Sequence, residues 1–75
     1  MARKQKTVAR PPRVGDVVAF DFGGLDVSGT VVEDRGHIGV GGRRLLRIRV
    51  EMEPGVDPMF IELPEADLRI VKRVA

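Results

Sequence analysis

The sequence of 75 residues predicts an all-β domain. No window shows the sustained 3.6-residue spacing of an amphipathic helix, whereas branched apolar residues alternate with polar ones in short runs. Nine glycines and five prolines interrupt these runs at intervals typical of β-strands. We expect one domain over residues 15–75, preceded by a flexible arm over residues 1–14.

The first two predicted strands form a hairpin around Gly23-Gly24. Glycine supplies the positive φ angles that a two-residue turn requires. The register of this turn pairs, on one face, Phe22 with Leu25, Phe20 with Val27, and Val18 with Gly29. Because side chains alternate along a strand, the face that carries Phe20 and Phe22 is the predicted core.

A second pair of glycines, Gly41-Gly42, predicts another tight hairpin, which leads into a third strand over residues 45–52. The residues of this strand expected to face the core are Leu46, Ile48, Val50 and Met52. A strict register would place charged residues of the second strand opposite them, so we expect a bulge or break near Gly36. The same register places Asp34 opposite Arg49.

Residues 53–58 form a predicted turn, because their two prolines interrupt strand pairing. In the fourth strand Met59, Ile61 and Leu63 point to one side. Residues 64–68 predict a single 3₁₀ turn, and a last strand covers residues 69–74. Five short strands cannot bury the apolar face of a flat sheet, so we expect the sheet to curl into a small barrel.

The formal net charge of +2 is unevenly distributed. Residues 1–14 contain five cations and no acid, whereas residues 15–75 contain eight cations and eleven acids, a net charge of −3. The arm has too little apolar surface to offset its ordering entropy, so we expect it to be disordered alone. Residues 35–50 contain five arginines without an acid, and the acidic residues cluster in the segment that follows.

The absence of cysteine excludes thiol nucleophiles, cysteine zinc sites and disulfides. It is compatible with a reducing cytoplasm, where we expect the protein to be. The longest apolar run covers residues 17–20, far short of the roughly 20 residues that a membrane helix needs. The first residues also lack the apolar region of a secretory leader, so neither a membrane segment nor a leader is predicted.

Three segments resemble the SH3-like small barrels: Gly15-Asp16-Val17-Val18, Ser28-Gly29-Thr30-Val31-Val32 and Leu63-Pro64-Glu65-Ala66-Asp67-Leu68. The resemblance spans residues 14–74 and implies a five-stranded barrel with one 3₁₀ turn before the last strand. Similar barrels occur in KOW and Tudor-like modules, in a small photosystem I subunit and in type II dihydrofolate reductases. The chain looks like a small bacterial protein of this group, and its similarity to KOW modules, at Gly29, implies contact with nucleic acid.

Other activities of similar barrels need residues that this chain lacks. Peptide grooves and methyl-lysine cages use tryptophan and tyrosine, and the chain contains neither. The type II reductases use a Val-Gln-Ile-Tyr strand at the pore of a tetramer, and only Ile61 matches it here. An enzyme built at such an oligomeric pore is therefore the third hypothesis, after two kinds of binding module.

Few side chains could carry out chemistry. His37 is the single histidine and lies in a glycine-rich loop, so we expect it to be solvated rather than to bind a metal with Asp34. Asp21 and Asp26 face each other across the first hairpin. They are either two solvated carboxylates or acceptors for an arginine from the arm or from a partner subunit. We predict no catalytic site, metal site or cofactor.

The first functional hypothesis is a non-enzymatic module that contacts the backbone of RNA or DNA with little sequence specificity. A strand rather than a helix follows the glycine-rich loop, so the loop is suited to touching a phosphate rather than to gripping a nucleotide. The predicted nucleic-acid-binding residues are Arg3, Lys4, Lys6, Arg10, Arg13, Arg35, Arg43, Arg44, Arg47 and Arg49.

The alternative hypothesis is a protein-interaction or self-assembling barrel. Its predicted interface residues are Met59, Phe60 and Ile61. By alternation Phe60 points away from Met59 and Ile61. An exposed Phe60 therefore favours an interface, and a buried Phe60 favours a monomer.

Overall fold

The computed structural model describes residues 10–74 and shows one antiparallel sheet of five strands. The strands are β1 (Val17–Phe22), β2 (Leu25–Gly36), β3 (Leu45–Val50), β4 (Met59–Pro64) and β5 (Arg69–Lys72). Their order across the sheet is β4-β3-β2-β1-β5, which confirms the all-β class. No helix within residues 10–74 is long and apolar enough to cross a membrane.

The first hairpin has the predicted register. Its inner-face pairs are Phe22 with Leu25, Phe20 with Val27, and Val18 with Gly29. Gly23 and Gly24 have φ angles of 61° and 87°, the positive values that a two-residue hairpin turn requires. The turn chemistry of this Gly-Gly pair therefore sets the pairing of all of β1.

β2 is the longest strand, with 12 residues, because it pairs with one neighbour along its first half and with another along its second half. Residues 25–30 pair with β1, and residues 30–36 pair with β3. Gly29 lies near the point where the pairing partner of β2 changes from β1 to β3. A Cβ atom there would be 2.6 Å from the carbonyl oxygen of Arg49 and 2.7 Å from Cγ2 of Ile48. Glycine is thus the residue that lets β3 approach β2 this closely.

The inner face of the sheet forms a single apolar core. Its buried members are Val18, Phe20, Val31, Leu46, Ile48 and Val50. The partly buried residues packed against them are Val27, Met59, Ile61, Leu63 and Leu68. The period-two alternation predicted for β3 and β4 is therefore confirmed, whereas in β1 Ala19 is buried together with Val18 and Phe20.

Three residues that alternation assigned to the core face are exposed instead. Leu25 is 69% exposed, Phe22 is 45% exposed and Met52 is 46% exposed. Phe22 lies next to the turn, and its ring meets the edge of Phe20 with the centroids 6.5 Å apart. Met52 follows the end of β3 at Val50. The core prediction was wrong at all three positions, because alternation fixes the face of a side chain but not whether another element covers it.

The connection from β2 to β3 is longer than the predicted two-residue hairpin. Residues 37–44 form a loop that contains a tight turn over Val40–Gly42. The register shifts between Asp34 and Gly36, as predicted, and also between Val31 and Glu33. As a result Asp34 pairs with Leu46 rather than facing Arg49, as a strict register required. The shifts keep Val31 inside while leaving Glu33 on the outer face.

The predicted 3₁₀ turn before the last strand is confirmed over Glu65–Asp67. Closure into a barrel is not confirmed. Within residues 10–74 the ladder ends at β4 on one side and at β5 on the other. β5 ends at Lys72 rather than at residue 74, and β3 ends at Val50 rather than at residue 52.

Replacing Gly29 by alanine should destabilise the domain, because the new methyl group would overlap the backbone of β3. Overpacking of this kind costs about 1–3 kcal/mol of unfolding free energy. Urea denaturation followed by circular dichroism measures the loss, and Ser28→Ala, at an exposed neighbouring position, is the control. A Gly29→Ala variant as stable as the wild type would show that β3 does not need this close approach.

Candidate nucleic-acid interface

The outer face of β3 and β4 carries an exposed aromatic ring among arginines. Phe60 pairs with Arg49 across the two strands, and Glu62 pairs with Arg47. Phe60 is 47% exposed, because its neighbours Met59 and Ile61 point into the core. Of the three predicted interface residues, Phe60 is thus the one that presents its side chain to solvent.

Arg47 lies over the ring of Phe60. The guanidinium carbon is 4.9 Å from the ring centroid, which is the distance of a cation–π contact. The contact runs diagonally between the strands, because Phe60 is two residues from the direct partner of Arg47. Two planar groups are therefore held against each other on a solvent-facing surface.

Arg44 is fully engaged in contacts within the chain. Its guanidinium forms ion pairs with Asp34 at 2.9 Å and with Glu65 at 3.2 Å, and it donates to the carbonyl oxygen of Pro12 at 2.9 Å. Hydrogen bonds from Arg44 and from the N–H of Gly36 hold the pKa of Asp34 below its usual value. Arg44 thus joins three segments of the domain and is not available to a ligand.

Arg35 and Arg49 form ion pairs that are more exposed to water. Arg35 lies 3.3 Å from Glu62 and 3.7 Å from Glu33. Arg49 lies 2.8 Å from Glu51. Such pairs at exposed positions contribute about 0–1 kcal/mol, because water screens them. These carboxylates therefore hold the two guanidinium groups only weakly.

The other predicted nucleic-acid-binding residues differ in their surroundings. Within residues 10–74, Arg13, Arg43 and Arg47 have no carboxylate within 4.0 Å. Arg3, Lys4 and Lys6 lie outside the described residues. The structure therefore brings Arg35, Arg47 and Arg49 together on the face of Phe60 and places Arg43 in the loop before β3.

Arg10 reaches a buried carboxylate that the sequence analysis did not single out. Asp16, with no exposed surface, accepts hydrogen bonds from both terminal nitrogens of Arg10 at 2.8 and 2.9 Å. It also accepts from the backbone N–H groups of Arg13 at 3.0 Å and Val74 at 2.8 Å. One carboxylate thus ties both ends of the described chain to the start of β1.

These contacts change the pKa of the Asp16 carboxyl. The hydrogen bonds from Arg10 hold the pKa of the Asp16 carboxyl well below its usual range, and the N–H groups of Val74 and Arg13 lower the pKa further. Burial opposes this shift, because it penalises the charged form. In the sequence, the signal for this site was an aspartate between a glycine and an apolar strand, which is equally typical of an ordinary turn.

The remaining candidate residues have ordinary surroundings. Asp21 and Asp26 face each other as predicted. Asp21 accepts a hydrogen bond from the N–H of Gly24 at 3.0 Å, and Asp26 pairs with Arg69 of the same chain. His37 is exposed in its loop, and residues 10–74 contain no cluster of three or more potential metal ligands.

Replacing Asp16 by asparagine should lower the unfolding free energy near pH 7 by about 1.5–3 kcal/mol, the value of hydrogen bonds to a charged group. The folded carboxyl titrates below its unfolded value of about 3.9. Its contribution is therefore complete above roughly pH 5 and is lost as the pH falls toward the folded pKa. Urea denaturation at a series of pH values should show the difference from wild type shrinking below pH 5.

Asp57→Asn is the control for this prediction, because Asp57 is exposed in the loop before β4. It should leave the stability nearly unchanged at every pH. A difference between Asp16→Asn and wild type that stayed constant from pH 7 down to about pH 2 would contradict the assigned role of the charge.

Comparisons with known proteins identify no family for this chain. No protein-family model, no curated protein and no solved structure matches it. The contacts of the outer face and of the adjoining loop are therefore the basis for proposing a function.

Proposed function

We propose that this protein is a non-enzymatic module that binds the backbone and stacked bases of single-stranded RNA or DNA with little sequence specificity. The observation that carries the proposal is the exposed Phe60 ring with the Arg47 guanidinium 4.9 Å from its centroid. A base can stack on an exposed ring of this kind, and arginine can stack on a base or pair with a phosphate.

The surroundings of Phe60 supply the charge that such a ligand needs. Arg49 lies directly opposite Phe60, and Arg35 reaches the same face through its ion pair with Glu62. Both arginines can exchange a screened carboxylate for a phosphate oxygen. Arg3, Lys4 and Lys6 add three further positive charges to the chain.

Low sequence specificity follows from the kind of groups present. Stacking on phenylalanine accepts any base, because every base has a π-face. Arginine contacts to phosphate carry no sequence information. Binding should therefore weaken steeply with salt and vary little between sequences of the same length.

The fold supports the same proposal. We propose that the sheet is an SH3-like barrel, on the basis of its strand order, the 3₁₀ turn before β5 and the partner change at Gly29. KOW modules, to which the chain is similar at Gly29, are barrels of this kind. In such an arrangement β3 and β4 present one continuous outer face to a ligand.

Phe60→Ala should weaken binding of a short fluorescein-labelled single-stranded oligonucleotide by roughly 5- to 150-fold, the factor that corresponds to about 1–3 kcal/mol of stacking. Fluorescence anisotropy at low and at physiological salt measures the Kd for RNA and for DNA. Arg47→Ala should also weaken binding, because it removes the guanidinium that contacts the Phe60 ring and that would pair with a phosphate of the ligand.

Phe22→Ala is the matched control, since Phe22 is 45% exposed and Phe60 is 47% exposed. No guanidinium lies over the Phe22 ring in the described part of the chain. This variant should bind as the wild type does. Equal loss in both phenylalanine variants, or no binding by the wild type at low salt, would overturn the proposal.

A second candidate function is self-association through β4. Within residues 10–74 this strand is an edge of the sheet, and it carries the exposed Phe60. An unpaired edge with an exposed aromatic ring favours addition of a strand from another chain. The exposure of Phe60 is the observation that favours an interface over a monomer with two-sided burial.

Sedimentation equilibrium over a range of concentrations tests this candidate. Self-association predicts a mass above that of the monomer, which falls to the monomer value in Phe60→Ala and does not change in Phe22→Ala. A monomer at every concentration would remove the second candidate and leave nucleic-acid binding unaffected.

A further inference from the structure

We infer that the cavity between the loop of residues 37–44 and the C-terminal end of β4 binds a terminal phosphate monoester of the nucleic-acid strand. This inference rests on the proposed function and names the part of the ligand that the cavity would hold. The cavity has a volume of about 280 Å³. It is lined by His37, Gly42, Arg43, Arg44, Pro64, Glu65 and Ala66.

The walls of the cavity are held in place by backbone hydrogen bonds. The carbonyl oxygen of Arg43 accepts from the N–H of Gly39 at 2.9 Å. The carbonyl oxygen of Arg44 accepts from the N–H of Glu65 at 3.0 Å, which joins the loop to the 3₁₀ turn across the cavity. The site is therefore largely formed before a ligand arrives.

One guanidinium at the cavity has no carboxylate partner among the described residues, although the charges of Arg43, Arg44, Asp34 and Glu65 sum to zero. Arg44 lines the cavity, but it is already paired with both Asp34 and Glu65. Arg43 is exposed, and within residues 10–74 no carboxylate lies within 4.0 Å of its guanidinium. His37 also lines the cavity. An anion placed here would meet the donors of Arg43 without displacing an existing ion pair.

Phosphate is the anion that these donors suit best. The planar fork of N–H groups on a guanidinium matches two oxygens of one phosphate, and the imidazole of His37 can donate to a third. A monoester carries a charge of about −1.5 to −2 at pH 7, and a diester within a strand carries a single charge.

The cavity lies within reach of the Phe60 face. Pro64, which lines the cavity, follows Phe60 by four residues along β4, or about 13 Å at roughly 3.3 Å per residue. A strand whose terminal phosphate enters the cavity can therefore place a nearby base against the Phe60 ring. One ligand would use both sites.

The test compares one short oligonucleotide in three forms: 5′-phosphorylated, 3′-phosphorylated, and with hydroxyl groups at both ends. We expect one phosphorylated form to bind roughly tenfold more tightly than the hydroxyl form, the factor expected of a charge-assisted pair. Arg43→Ala should abolish this advantage, so that the phosphorylated and hydroxyl forms bind the variant with equal affinity. Arg73→Ala, at another exposed arginine, should keep the advantage. Circular dichroism establishes that both variants are folded.

Titration with inorganic phosphate, followed by amide NMR shifts of His37, Gly42 and Arg43, separates this inference from the proposed function. Equal affinity of all three oligonucleotides would overturn the terminal-phosphate site and leave the proposed function standing. If no oligonucleotide binds but phosphate shifts these amides in wild type and not in Arg43→Ala, the proposed function fails and the cavity remains a phosphate site. Silence in both experiments would overturn both.

Discussion

β2 must pair with β1 along one half and with β3 along the other, and every part of the domain depends on this double pairing. The partner changes near Gly29, where the backbone of β3 comes so close that a side chain would collide with the carbonyl oxygen of Arg49. Val31 stays in the core, and the register shift that follows it turns Glu33 to the outer face. β3 and β4 therefore present their alternate residues, including Phe60, to solvent.

Asp16 supplies the second constraint. A fully buried carboxylate is costly unless several donors satisfy it, and here Arg10 and two backbone N–H groups do so. The donors come from the segment before β1 and from the segment after β5. In a domain this small, where few side chains are fully buried, such a polar contact ties down chain ends that apolar packing does not cover.

The arginines divide into those that stabilise the fold and those that remain for a ligand. Arg10 and Arg44 make multiple contacts with carboxylates and with the main chain. Arg43 and Arg47 have no carboxylate partner among residues 10–74 and lie beside the cavity and on the Phe60 ring. The net charge of a segment does not show which of its arginines belong to which group. The difference arises from which carboxylates the register shifts of β2 and the loop bring near each guanidinium.

Local rules were sufficient for the strands, the first hairpin and the 3₁₀ turn, because alternation and turn chemistry act between near neighbours in sequence. They did not predict the exposure of Phe22 or the length of the loop after β2. They also did not predict the partners of Arg44, Arg49 and Asp16. Each of these depends on which distant segment covers a residue or supplies its hydrogen-bonding partner. The all-β class and the side on which Phe60 lies thus follow from the order of residues. The buried Asp16, the paired and unpaired arginines and the cavity beside Arg43 exist only once segments far apart in the chain have packed together.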